Sequence, residues 1–440
     1  MTRDTSSRLL NAYRTVRAHT DALTAPLSDE DQCIQSMPDV SPTKWHRAHV
    51  TWFFETFLCK GHLDGYVEHD PAFGFLFNSY YESIGERHPR PERGNLSRPS
   101  CVDVAAYRRH VDEAMGRLLA GGLSAEIAEL VTLGINHEQQ HQELILMDIK
   151  HVLSCNPALW PAYCTPGQAA PVAHTGVVGG SVKCAGATRW ASFEGGQIAV
   201  GHEGSGFAFD NEEPRHRVLV ESFRLADRPV TCGQWLEFIA DGGYETPTLW
   251  LSDGWGQRLS HGWEAPSYWH LDDDGWQVFT LEGLKPVAAD EPVCHLSYYE
   301  ADAFARWAGA RLPTEFEWEH AAHGVPQFGN IGICAGLHPV PVPVAAPEPS
   351  TAGASRPVPL LQMYGDVWEW TSSPYAAYPG FRVAPGAVGE YNGKFMINQM
   401  VLRGGCCATP EGHVRPTYRN FFYPHTRWHF SGLRLAADAQ

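Results

Sequence analysis

The chain is short of several things that would point to other protein classes. No apolar run approaches the ~20 residues a membrane-spanning helix needs, so no membrane partner is expected. Basic residues are scarce: 33 Lys and Arg stand against 50 Asp and Glu, a formal charge of −17. Binding a phosphate backbone needs a basic face, so nucleic acid is excluded as the expected partner. Met1 to Asn11 is polar and mixed in charge, unlike a secretory leader, and the expected compartment is the cytoplasm. The 11 cysteines include no CxxC pair, and Cys406 and Cys407 are adjacent. That pattern suits neither a zinc ribbon nor a disulfide scaffold, and most of these thiols read as small buried hydrophobes. No segment repeats at a fixed period. Self-association is left open.

What is present is an ordinary soluble composition, 43% hydrophobic and 19% charged, over 440 residues, enough for two or three domains. Histidine and tryptophan are plentiful, at 22 and 15. The first third reads as helical. Apolar residues recur at helical spacing over Ser6 to Ala25. Ser41 is a good N-cap with proline in the first turn after it, predicting a second helix through Trp45, His49, Trp52, Phe53 and Phe57. Val102 to Ala120 is a third. Ser124 caps a fourth, running through Ile127, His137, His141 and Ile149. Four such helices suggest an antiparallel bundle. A connection from Gly61 to Pro99, rich in Gly, Pro and Arg, separates the second from the third. Loops this long usually carry function or are disordered.

The texture changes after Ser154. Asn156 to Thr188 is rich in Pro, Gly and Ala and reads as a link. From Trp190 onward short apolar runs are broken by Gly, Pro, Asp and Asn, which predicts mixed α/β structure with much irregular loop. Helices are expected at Tyr298 to Ala308 and Glu315 to Ala322, and a surface loop at Pro339 to Pro359.

His137 and His141 lie in HEQQH. At i and i+4 they share one helix face, close enough to hold one ion. The letters His137, Glu138 and His141 also fit the zinc-protease motif HExxH. His49, on another predicted helix, makes a three-histidine facial site with them when the second and fourth helices face each other. Such a set leaves coordination positions open and suits Fe(II), Zn(II) or similar ions. His46, three residues before His49, is a rival ligand.

These motifs carry a resemblance. With WHRAHV and NHEQQHQE supplying the histidines, and with FDNEEPRH (Phe209 to His216), PVTCGQWLEF (Pro229 to Phe238), RLPTEFEWE (Arg311 to Glu319), GDVWEWTSSP (Gly365 to Pro374), VLRGG (Val401 to Gly405) and TYRNFF (Thr417 to Phe422) in order, the sequence resembles the nonheme-iron sulfoxide synthases of ergothioneine biosynthesis. Those enzymes join a thiol to hercynine using O2. The resemblance implies a DinB-like four-helix bundle over 1–155, a link over 156–188, and a C-type-lectin-like, formylglycine-generating-enzyme-like domain over 189–440. It implies Fe(II) as cofactor, with His49, His137 and His141 as ligands. Gln140 and Asn420 are then expected to contact hercynine. Phe421 and Phe422 are expected to wall its trimethylammonium group, which aromatic faces attract. Arg90 and Arg93, matching HPRxxR, are expected to fork onto the carboxylate of the thiol substrate.

The family also needs a tyrosine near the metal. One branch carries it on the loop after GDVWEW, where Tyr391 in PGFRVAPGAVGEYNGKF is a weak match. Another uses a pair on the bundle's long loop, matched here by Tyr80 and Tyr81 in FNSYYESIGERHPR. Tyr81 is the expected proton donor during C–S bond formation at imidazole C2, with Tyr80 second. The thiol is cysteine or γ-glutamylcysteine, and a selenosugar is an alternative. Rival readings are a formylglycine-generating oxidase, a zinc hydrolase or DinB-like thiol transferase, and a non-catalytic lectin-like binding module. The oxidase needs two spaced cysteines near its C-terminus, and here they are adjacent.

Overall fold

The computed structural model describes residues 3–121, 123–163, 187–332, 336–342, 358–383 and 387–439. Most of the expected link and most of the Pro339 to Pro359 loop, residues 164–186 and 343–357, lie outside the described residues. The chain divides into two compact units. The first is Met1–Tyr163 with Val383–Gly393; the second is Cys164–Arg382 with Lys394–Gln440.

The first unit is built on α1 (Arg3–Thr24), α2 (Thr43–Phe54), α5 (Cys101–Ala120) and α6 (Ala125–Ser154), with short α3 (Lys60–His62) and α4 (Phe73–Phe77) between α2 and α5. α1 packs on α5 and α6, and α2 packs on the same two, which closes a four-helix bundle. Ser124 caps α6 by accepting from Ile127 N, as its sequence position predicts. Ser100 and Asp103 make a reciprocal capping box at α5. Ser41 does not cap α2. Pro42 holds that position, while the Ser41 backbone N–H donates to Asp148 Oδ2 (2.8 Å) and its hydroxyl accepts from Arg93 Nη1 (2.9 Å). Partners from distant segments outcompete the local cap.

α2 runs on through a π-helical turn, Glu55–Cys59, into α3. Gly134 lets α6 approach it. A Cβ there would stand 2.6 Å from Phe54 Cε1 and 3.1 Å from Phe53 Cε1. The connection from Gly61 to Pro99 is ordered by α4 and a 3₁₀ turn at Arg90–Asn95, and Lys44 Nζ donates to Leu96 O (2.7 Å).

The second unit has small sheets and short helices, as the broken apolar runs predict. β1 (Trp190–Phe193), β4 (Phe223–Ala226) and β12 (Ala436–Asp438) form one antiparallel sheet, and β2 (Gly196–Val200) pairs with β3 (His216–Val220). β5 (Trp269–Asp272), β6 (Gly275–Thr280) and β7 (Gly283–Pro286) make a meander. The fourth sheet runs β10 (Asn420–Phe422), β9 (Met400–Arg403), β8 (Trp368–Pro374), β11 (Ser431–Gly432), with β11 parallel to β8. The helices are α7 (Cys232–Ala240), α8 (Ser252–His261), α9 (Tyr298–Trp307) and α10 (Glu315–Ala322).

The sequence motifs of this unit make its core. Trp318 of RLPTEFEWE packs with Phe223, Leu225, Tyr364 and Ala436 and donates to Glu369 Oε2 of GDVWEW (2.7 Å). Glu369 also takes Arg434 (2.7 Å), and Glu315 takes both Arg403 (2.8 Å) and Arg419 (2.8 Å). These are buried charges satisfied by geometry, the condition under which burial is tolerated. Cys406 and Cys407 are buried and in no disulfide. Among the described residues no helix is long and apolar enough to cross a membrane.

Candidate metal centre

α2 and α6 face each other, and this brings three histidines together. His137 and His141 stand one turn apart on α6, and His49 faces them from α2. All three are buried, and their ligand nitrogens lie within 4.8 Å of one another. His49 Nε2 is 3.2 Å from His137 Nε2. Burial holds all three imidazoles neutral: His137 falls to about 3, and His49 and His141 lie well below the usual histidine value, each further lowered by neighbouring histidines.

His49 is fixed on several sides. Its Nδ1 donates to Phe77 O (2.6 Å), which leaves Nε2 with its lone pair. Trp45 stacks on the ring at 4.7 Å and Trp52 at 5.6 Å. The three side chains recur at i, i+4 and i+7 on α2, so one helix face supplies both the donor and its aromatic walls. His46 is not in this set. Its Nδ1 lies 2.8 Å from His141 Nδ1 and its Nε2 lies 3.0 Å from Asp148 Oδ2, so it backs a histidine of the centre.

The HExxH letters do not make a protease site. Glu138 points away from the three histidines, into the bundle. It is 0% exposed and accepts from Arg17 Nη1 (3.0 Å), Thr20 Oγ1 (2.7 Å) and Arg108 Nη2 (3.4 Å). Burial alone would raise its carboxyl, yet Arg17 and Arg108 hold it below the usual carboxylate value. A carboxylate neutralised by two arginines is a structural anchor, not a base.

Three tyrosines gather in the same unit. Tyr81 is fully buried against Trp52 (5.5 Å), Phe57 (5.2 Å) and Tyr80 (4.7 Å, stacked). Burial, with Tyr80 and Tyr391 nearby, raises its hydroxyl well above the usual tyrosine value, so it keeps its proton. Tyr391 arrives on Val383–Gly393. Its ring lies 5.6 Å from His137 and 6.1 Å from Tyr80, and its hydroxyl donates to Gln140 Oε1. Glu390 ties this segment to the loop of the tyrosine pair by accepting from Glu82 N (3.0 Å), Ser83 N (3.0 Å) and Ser83 Oγ (2.6 Å). That convergence joins positions far apart in sequence, and no local signal announces it.

Arg93 and Arg90 differ in setting. Arg93 is 4% exposed, and its guanidinium lies 3.4 Å over the Trp45 ring. It donates to the hydroxyls of Ser41 (2.9 Å) and Ser79 (3.3 Å), and its Nε is buried with no hydrogen-bond partner. Burial, then the cations Arg90 and Arg87, lower its pKa, as an anion would reverse. Arg90 is exposed and donates to Asp39 O. In the second unit, Asn420 Oδ1 accepts from Phe421 N (2.9 Å). Phe421 stacks on Tyr375 (4.0 Å) and Phe422 on His429 (4.0 Å).

The residues present fit a metal ion. Three neutral imidazoles converge, one has its rear nitrogen fixed by a carbonyl and another by an imidazole, and two nitrogens already stand at the spacing of neighbouring ligands. This donor set suits Fe(II), Zn(II) or a similar divalent ion.

Comparisons with known proteins divide the chain in two. Residues 12–151 match the DinB superfamily. Residues 184–330 and 342–439 match the sulfatase-modifying factor enzyme 1-like domain. Fold and site thus define a DinB-type bundle carrying a metal-capable histidine triad, in one chain with a formylglycine-generating-enzyme-like domain. The formylglycine-generating enzyme of Streptomyces coelicolor is 28% identical over 287 residues, 56% of this chain and 88% of that one. Hercynine oxygenases match both parts. That of Mycolicibacterium thermoresistibile is 35% identical over 432 residues, 91% of this chain and 88% of that protein. That of Mycolicibacterium smegmatis is 34% identical over 428 residues, 92% of each. The chain belongs to the hercynine oxygenase family.

Proposed function

We propose that this chain is an O2-dependent hercynine oxygenase that holds Fe(II) on His49, His137 and His141 and joins a thiol to C2 of hercynine as a sulfoxide, a step of ergothioneine biosynthesis. The observation that carries this reading is the buried, neutral histidine triad in a chain related to hercynine oxygenases along nearly its full length. Bound Fe(II) would supply open coordination positions and pass electrons from the thiol and hercynine to O2. The protein's own groups do the rest. Arg93, a buried guanidinium among other cations, takes the carboxylate of the thiol, with Arg90 at its exposed side. Gln140, held by the Tyr391 hydroxyl, orients hercynine; a contact of Asn420, Phe421 and Phe422 with hercynine rests on the family resemblance alone. Tyr81, kept protonated by burial, donates the proton that commits the reaction to C–S bond formation, with Tyr80 stacked on it.

A second reading gives the proton to Tyr391, because its ring is in contact with His137, while Tyr81 packs on Trp52, Phe57 and Tyr80. A zinc hydrolase using Glu138 is disfavoured by the two arginines on that carboxylate.

The test is anaerobic reconstitution with Fe(II), then hercynine and O2 with cysteine, γ-glutamylcysteine or a selenosugar, read by mass spectrometry. A hercynyl thiol sulfoxide supports the reading. A selenosugar adduct alone reassigns the donor. No O2 uptake with any donor would sink it.

A further inference from the structure

We propose that Asp148 and His46 form a positioning relay that presents His141 to the metal and sets the affinity and geometry of the centre. The proposal rests on the metal-centre reading above.

The relay is built by helix periodicity. Asp148 lies two turns beyond His141 on α6, and His46 lies just under a turn before His49 on α2, so all four side chains share the α2–α6 seam. Asp148 and His46 are each 2% exposed. Asp148 Oδ2 lies 2.8 Å from the Ser41 backbone nitrogen and 3.0 Å from His46 Nε2. The Ser41 N–H can only donate, so Oδ2 is an acceptor, and the proton between Asp148 and His46 sits on Nε2. His46 Nδ1 is then a lone pair, and 2.8 Å away it accepts the Nδ1–H of His141. That fixes the tautomer of His141 and leaves its Nε2 as the donor to a metal.

The three histidines differ in what stands behind them. A backbone carbonyl, Phe77 O, backs His49. His137 Nδ1 is buried with no hydrogen-bond partner. His141 alone is backed by an imidazole that is itself backed by a carboxylate. A carboxylate polarises the chain toward the metal, and makes His141 the more basic donor. Removing His46 strands the His141 Nδ1–H in a buried site and frees the ring to take the tautomer that cannot ligate.

The apoprotein is titrated anaerobically with Co(II), a spectroscopic stand-in for Fe(II), and with Fe(II) itself. His46→Phe is expected to weaken binding on the order of 10–100-fold and to shift the Co(II) visible bands. His46→Gln keeps an acceptor oxygen for the His141 Nδ1–H and recovers part of the affinity. Asp148→Asn weakens binding less than His46→Phe, and the double variant is no weaker than His46→Phe, because the two act as one unit. Wild-type affinity and spectrum in folded His46→Phe would overturn the relay. If His46→Phe does not fold, wild-type affinity in both His46→Gln and Asp148→Asn overturns it equally. A wild-type protein that binds neither ion fails the metal-centre reading itself, and the relay falls with it.

Discussion

Single residues carry the chemistry proposed here. Tyr81→Phe removes one hydroxyl and keeps the ring on Trp52 and Tyr80. If that hydroxyl is the proton donor, sulfoxide falls by orders of magnitude while thiol-dependent O2 uptake persists and yields the sulfinic acid. Product partition at matched O2 uptake measures this. Tyr391→Phe made alongside assigns the donor: wild-type partition in Tyr81→Phe with a diverted product in Tyr391→Phe transfers the role. Arg93 is tested through binding. A charge-assisted hydrogen bond is worth ~1.5–3 kcal/mol, so Arg93→Leu should raise the thiol KM roughly tenfold or more and leave the hercynine KM nearly unchanged. Arg90→Leu, at an exposed guanidinium, should do less. Equal loss for both substrates would mark a folding defect rather than a lost carboxylate contact.

At the scale of elements, α6 does two jobs on two faces. One face presents His137 and His141; the other carries Glu138 to Arg17 of α1 and Arg108 of α5. Gln142 joins that second face by donating to Val16 O (2.8 Å). The donor face is therefore held in place by ion pairs made behind it. Glu138→Gln takes one countercharge from each of two buried arginines, which keep their pairs with Asp112 and Asp21, so the cost should fall below the about 3–5 kcal/mol of stranding a buried charge. Urea unfolding should show that loss, while the protein that remains folded keeps its metal. Unchanged stability with abolished turnover would instead make Glu138 a participant in the reaction. Most of α6 was legible in advance, because its cap at Ser124 and its i, i+4 histidines are local features. The N-cap of α2 was not, since Ser41 is drawn off by Asp148 and Arg93.

For the whole molecule, buried histidines couple folding to pH. In the second unit His413 and His429 are each lowered to about 3, His413 by burial and by Arg415, His429 by burial. The unfolded chain protonates such a histidine near pH 6.5 and the folded chain does not. Stability therefore climbs as pH rises from about 3 to 6.5 and levels off above that. At pH 5 each residue costs about 2 kcal/mol relative to pH 7. The thermal midpoint of the apoprotein should drop between pH 7 and pH 5, and His429→Gln should flatten the drop. The same pH slope in that variant would show that His429 already titrates normally.

The sequence by itself determined the bundle, the break in texture after Ser154, and the pairing of His137 with His141, because all of these rest on periodicity and composition within one segment. The motifs of the second part were equally legible, though their charged residues prove to be core ion pairs such as Glu315 with Arg403 and Arg419. Tertiary structure alone decided the rest. Whether His46 or His49 joins the triad depends on how α2 is rotated against α6, and both lie on nearly the same helical face. Whether Glu138 is a base or an anchor depends on Arg17 and Arg108, which come from other helices. Tyr391 reaches His137 and Gln140 only because Val383–Gly393 packs into the first unit. Contacts between segments far apart in the chain are set by packing, and no local pattern encodes them.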